Sequence, residues 1–114
     1  MSMVLIVEDD ATSREALTCL LEKAGREVAT AGDGQEALEC LHTIPGPSLI
    51  LLDLSMPVMD GWEFLRHQRT DPSIAGIPTV VVSGSVSEPP AGANDVLAKP
   101  VNVARLMTLV RRYS

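Results

Sequence analysis

Three short runs of this chain are apolar almost from end to end, and each runs straight into a polar residue. Met3-Val4-Leu5-Ile6-Val7 meets Glu8-Asp9-Asp10, Leu49-Ile50-Leu51-Leu52 meets Asp53, and Thr79-Val80-Val81-Val82 meets Ser83-Gly84. Alternate residues of a strand point to opposite faces, so a strand with no polar face must be covered on both. Helical patterns separate the runs and supply the cover. Ala16, Leu17, Leu20, Leu21 and Ala24 form one stripe, opened by a predicted Thr12/Glu15 capping box and closed at Gly25. Asp33 with Glu36 opens a second helix that turns Ala37, Leu38 and Leu41 inward, and Pro45-Gly46-Pro47 bars its continuation. Asp60 with Glu63 caps a third, which Asp71-Pro72 stops. Val103, Leu106, Met107 and Val110 give a last stripe. Glu27 to Ala31 and Asp95 to Ala98 read as shorter second and fifth strands. Strand and helix alternating with wholly apolar strands mean an α/β fold on a parallel sheet. One interval breaks the alternation: Ser85 to Asn94 carries Pro89-Pro90 and Gly92 where a helix is due.

Topology then places the polar residues. In an open parallel sheet the carboxyl ends of the strands share one edge, and ligands bind in the crevice there. Glu8-Asp9-Asp10, Asp53, Ser83 and Lys99 all fall at such ends, so residues far apart in sequence converge on one cleft. Clustered carboxylates repel one another and need a counter-charge. Hard oxygen donors with open coordination positions suit magnesium, and a lysine and a hydroxyl beside that cation make a site for phosphoryl oxygens. Each residue alone has a plainer reading: a solvated helix start for the acidic run, a turn for Asp53, a cap for Ser83, a free surface charge for Lys99. Only their coincidence at one sheet edge points to chemistry.

Charge and composition narrow the function further. The 114 residues, one domain's worth, carry 9 basic and 15 acidic side chains, a net charge of −6 that disfavours nucleic acid and anionic membrane as partners. No apolar run approaches the length of a membrane span, and no secretory signal is evident. Cys19 and Cys40 read as small buried thiols of a reducing, cytoplasmic compartment. His42 and His67 read as surface residues of helices, and Arg111-Arg112 as a cationic helix end. A nucleotide-hydrolase loop, a Cys-x-x-Cys pair and a His-Glu-x-x-His motif are all missing from the sequence.

The segments Val4 to Asp10, Leu51 to Gly61 (Leu-Leu-Asp-Leu-Ser-Met-Pro-Val-Met-Asp-Gly), Val81 to Gly84 and Leu97 to Pro100 resemble, in that order, response regulator receiver domains of two-component signalling. The resemblance implies a single receiver domain over residues 1–114 with a flavodoxin-like, doubly wound five-stranded parallel sheet in order 2-1-3-4-5. It implies Asp53 as phosphoacceptor, taking its phosphoryl group from a sensor histidine kinase or a histidine phosphotransfer protein. It further implies magnesium held by Glu8, Asp9, Asp53 and the main-chain carbonyl of Ser55, with Glu8 acting through water and Asp10 less critical. Ser83 matches the switch hydroxyl, Lys99 the lysine that pairs with the phosphoryl group, and Lys99-Pro100 a cis peptide. The downstream effector is not implied. Two departures bear on output: Val96 stands where the family usually has an aromatic, and the Ser83-to-Lys99 interval is short enough to shorten or delete the fourth helix. Two rivals follow, a pseudo-receiver that binds proteins without switching and an aspartyl-phosphate phosphatase. The second is disfavoured because Ser55 stands where such an enzyme usually has a second acid.

Overall fold

The computed structural model describes residues 3–114. Strand β1 (Met3–Val7), helix α1 (Ala11–Lys23), β2 (Glu27–Ala31), α2 (Gly34–Leu41), β3 (Leu49–Asp53), α3 (Gly61–Thr70), β4 (Thr79–Ser83), β5 (Asp95–Ala98) and α4 (Val103–Tyr113) follow one another along the chain. All four strand pairings are parallel, and the sheet order is β2-β1-β3-β4-β5. The expected fold class is the observed one.

The apolar runs divide by parity. Leu5, Val7, Ile50, Leu52 and Val81 face one layer, where Ala37 and Leu41 of α2 and Phe64 and Leu65 of α3 close over them. Val4, Ile6, Leu49, Leu51, Val80 and Val82 face the other, against Leu17 and Leu21 of α1 and Leu106, Leu109 and Val110 of α4. Each such buried side chain contributes roughly 1.5–3 kcal/mol against exposure, so reversing a strand's register would be costly throughout. With only Trp62, Phe64 and Tyr113 as aromatics, Phe64 is the one ring fully inside.

The helix ends show where local reading was too simple. Asp10, not Thr12, caps α1: its carboxylate accepts from the Ser13 N–H at 3.0 Å and the Ser13 hydroxyl at 2.7 Å. The chain turns immediately after β1, so the earlier acid reaches the free N–H groups first. The C-terminal end of α1 behaves as read, with Gly25 at φ +84° and the N–H groups of Gly25 and Arg26 donating back to the carbonyls of Glu22 and Leu21. Asp33 and Asp60 cap α2 and α3 through the N–H groups of Glu36 and Glu63.

Several residues expected to be buried lie nearer the surface. Val103 is 49% exposed, because α4 meets the sheet through Leu106, Leu109 and Val110 and its first turn overhangs. Ala16 is exposed, and Cys19 is exposed on α1 with Cys40 half-buried, both as free thiols. Arg111 and Arg112 form the cationic end of α4 as expected, and Arg112 also bonds Asp95 at 3.2 Å while Arg105 bonds the same carboxylate at 3.3 Å, tying α4 to β5.

Between β4 and β5 there is no helix. Val86, Ala93 and Val96 pack against the α2–α3 layer in its place, Pro90 is buried, and Gly92 lies against the stem of Arg69. Two prolines remove helix donors from a segment too short to recover them. No helix among the described residues is long and apolar enough to cross a membrane.

Candidate functional site

The carboxyl edge of the sheet forms a cleft of roughly 440 Å³ whose lining includes Glu8, Asp9, Asp53, Ser55, Ser83 and Lys99. Every residue singled out in the sequence for the site is there. Glu8 continues β1 and is fixed at both backbone atoms: its N–H donates to the Ala31 carbonyl at 3.0 Å, and its carbonyl accepts from Arg14 Nη1 at 2.8 Å. Asp53 ends β3 and Ser83 ends β4, and both line the cleft. Lys99 follows β5, its N–H donating to the Ser83 carbonyl at 3.0 Å, and Lys99-Pro100 is a cis peptide.

Glu8, Asp9 and Asp53 each place a carboxylate oxygen within 4.8 Å of the other two. Lys99 Nζ stands 3.4 Å from Glu8 Oε1 and 3.5 Å from Asp53 Oδ1. Asp10 is outside the group because its carboxylate is engaged in capping α1.

One ammonium does not balance three carboxylates, two of them almost wholly buried, Glu8 at 3% and Asp53 at 6% exposure. Burial first, and then the neighbouring Asp53 carboxylate, push Glu8 up to about 7, against the opposing pull of the Asp10 N–H and Lys99. Lys99 is also raised, for a different reason. Burial would lower it, but the charges of Asp53 and Glu8 outweigh burial and hold it above its ordinary value. The cleft thus keeps a proton where a divalent cation would serve as well. The donor set fits magnesium: hard carboxylate oxygens from three residues, one buried wall and one open side that leaves positions for water or phosphoryl oxygens.

The loop after β3 holds Asp53 in place by close packing. A Cβ on Gly61 would lie 2.6 Å from the Asp53 carbonyl oxygen, so only glycine lets α3 start so near the acceptor strand. Gly61 N–H donates to the Leu54 carbonyl at 3.0 Å, and the Ser55 N–H approaches Asp53 Oδ1 at 3.5 Å. Met59, buried as part of the core, also links the loop to α2, its carbonyl accepting from Gly34 N–H at 2.9 Å.

One contact in the cleft was not read from sequence. The Ser83 hydroxyl accepts from the Ser85 N–H at 3.1 Å and lies 3.3 Å from the Ser85 hydroxyl. A second serine two residues after the first was the available signal.

A family model for the response regulator receiver domain matches residues 4–111. The chain belongs to that family. Receiver domains are signalling modules of two-component systems; phosphorylation on aspartate is typical of them, they bind magnesium in the acidic site, and they interact with histidine kinases. The chain is 34% identical over 114 residues to the DNA-binding response regulator MtrA of Mycolicibacterium paratuberculosis, covering 95% of this chain and 49% of MtrA. It therefore spans about half the length of that relative. Among solved structures, chemotaxis protein CheY4 of Vibrio cholerae superposes with a TM-score of 0.89 at 32% identity, covering 100% of this chain and 99% of that one. The receiver domain of sensor histidine kinase PA1611 from Pseudomonas aeruginosa, solved with magnesium coordinated in its active-site cleft, gives a TM-score of 0.90 at 26% identity, covering 98% and 96%.

Proposed function

We propose that this receiver domain accepts a phosphoryl group on Asp53 from a phosphohistidine of a sensor kinase or of a histidine phosphotransfer protein. The observation that carries the reading is the buried Asp53 carboxylate at a strand end, with Lys99 Nζ at 3.5 Å and the Glu8 and Asp9 carboxylates beside it. An Asp53 oxygen attacks phosphorus, the phosphorus–nitrogen bond breaks, and the imidazole leaves with its electron pair. Glu8 (through water), Asp9, Asp53 and the Ser55 carbonyl would hold magnesium, which when bound would supply positive charge to the phosphoryl oxygens. Lys99 turns from the carboxylate pair to a phosphoryl oxygen, and Ser83 donates its hydroxyl proton to another. The domain catalyses its own phosphorylation and dephosphorylation and no other reaction. It works in the cytoplasm, a reading supported by two free thiols and acidic composition.

A second reading keeps support from one observation. Val96 and the helix-free segment after β4 remove the usual moving parts of an output face, which favours a domain that binds a protein without switching. Acetyl phosphate with magnesium separates the two. Phosphorylation predicts a mass increase of one phosphoryl group in the parent and none in Asp53→Asn; an unmodified parent, or equal labelling of both proteins, overturns the phosphoacceptor reading.

A further inference from the structure

We propose that Ser85 is a positioning residue that sets how readily the Ser83 hydroxyl turns onto a phosphoryl group at Asp53. This inference rests on the phosphoacceptor reading and deepens it.

A serine hydroxyl has one proton and two lone pairs. The Ser85 N–H takes one lone pair of Ser83 Oγ at 3.1 Å, and the Ser85 hydroxyl, at 3.3 Å, takes either the proton or the other lone pair. Among the described residues the Ser83 hydroxyl bonds nothing else: Lys99 reaches Ser83 only through the main chain, and its ammonium is engaged with Glu8 and Asp53. Ser83 is 5% exposed, so water compensates it poorly when a partner is withdrawn. Ser85 is exposed and lines the same cleft as Asp53 and Ser83. Turning Ser83 inward therefore exchanges contacts with Ser85 for one with the phosphoryl group. The Ser85 hydroxyl acts as a latch on the resting rotamer, and its strength sets the bias between free and phosphorylated forms.

Beryllofluoride with magnesium, which mounts a phosphoryl-like group on an aspartate, is the probe. Trp62, the sole tryptophan, lines a groove with Ser55 and Ser85 beside the cleft and supplies a fluorescence signal. Beryllofluoride affinity is measured for the parent, Ser85→Ala, Ser83→Ala and the double variant. Removing one partly solvated hydrogen bond that opposes binding should tighten Ser85→Ala by about threefold, within a range of roughly two- to tenfold. The same substitution in the Ser83→Ala background should change nothing, since no hydroxyl is left to release. A merely structural or steric role for Ser85 would move both backgrounds alike. Unchanged or weakened binding in Ser85→Ala, or an equal gain in both backgrounds, overturns the latch while leaving Asp53 as acceptor. A parent that binds no beryllofluoride overturns the phosphoacceptor reading, and the latch with it.

Discussion

Raising the pH should weaken the metal-free protein, and magnesium should offset part of that loss. Glu8 is held at about 7 in the folded cleft against an ordinary value of 4.5. Between those two values the folded protein keeps a proton that the unfolded chain has released, so stability falls as the pH rises through the interval. At about 1.4 kcal/mol for each pH unit, the ceiling on that loss is roughly 3 kcal/mol, and the open side of the cleft reduces it. Magnesium competes with the same proton. At ten times its dissociation constant for the ionised site it adds about 1.4 kcal/mol near pH 8. Near pH 6, where Glu8 is mostly protonated, the addition shrinks to well under about 1 kcal/mol. For a domain of this size the gap in melting temperature between magnesium and a chelator should be about 5 °C at the higher pH and under about 2 °C at the lower. Calorimetric scans at both pH values, each with magnesium or chelator, read this directly. Glu8→Gln, which cannot titrate, should flatten the dependence. A gap independent of pH in the parent, or one that widens on acidification, would show that Glu8 does not hold the proton magnesium replaces.

Three further outcomes are expected. Asp53→Asn keeps the volume and removes the nucleophile, so labelling by acetyl phosphate should vanish while the far-ultraviolet circular dichroism is unchanged. Gly61→Ala forces a methyl group against the Asp53 carbonyl and should destabilise by about 1–3 kcal/mol in urea, whereas Gly46→Ala, which meets nothing within 4 Å, should change little. Beryllofluoride should raise hydrogen-exchange protection in the segment from Ser83 to Asn94, most in the residues nearest Ser83, because the Asn94 N–H already bonds the Thr79 carbonyl at 2.8 Å; an unchanged segment would favour the rigid binding module.

The layers and the place of the site are legible in the residue pattern alone. Runs such as Leu49-Ile50-Leu51-Leu52 have no polar face, so they could only be strands covered on both sides, and parallel strands bring their carboxyl ends to one edge. The order of strands along the chain therefore makes neighbours of Asp53 and Lys99, 46 residues apart. Periodicity reports which face is apolar, not how far an element reaches over its neighbour. That is why Val103 fell on the apolar stripe and is half exposed. Cap motifs report donors and acceptors, not the angle at which the chain leaves a strand, and so Asp10 took the place predicted for Thr12. Tertiary structure alone decided that Arg105 and Arg112 share Asp95, that Pro90 is buried in a segment without a helix, and that Ser83 rests on Ser85. It also decided the charge state of the cleft. The rise of Glu8 depends on how much water reaches it and how near Asp53 lies, and both are set only when separate strands pack into one sheet.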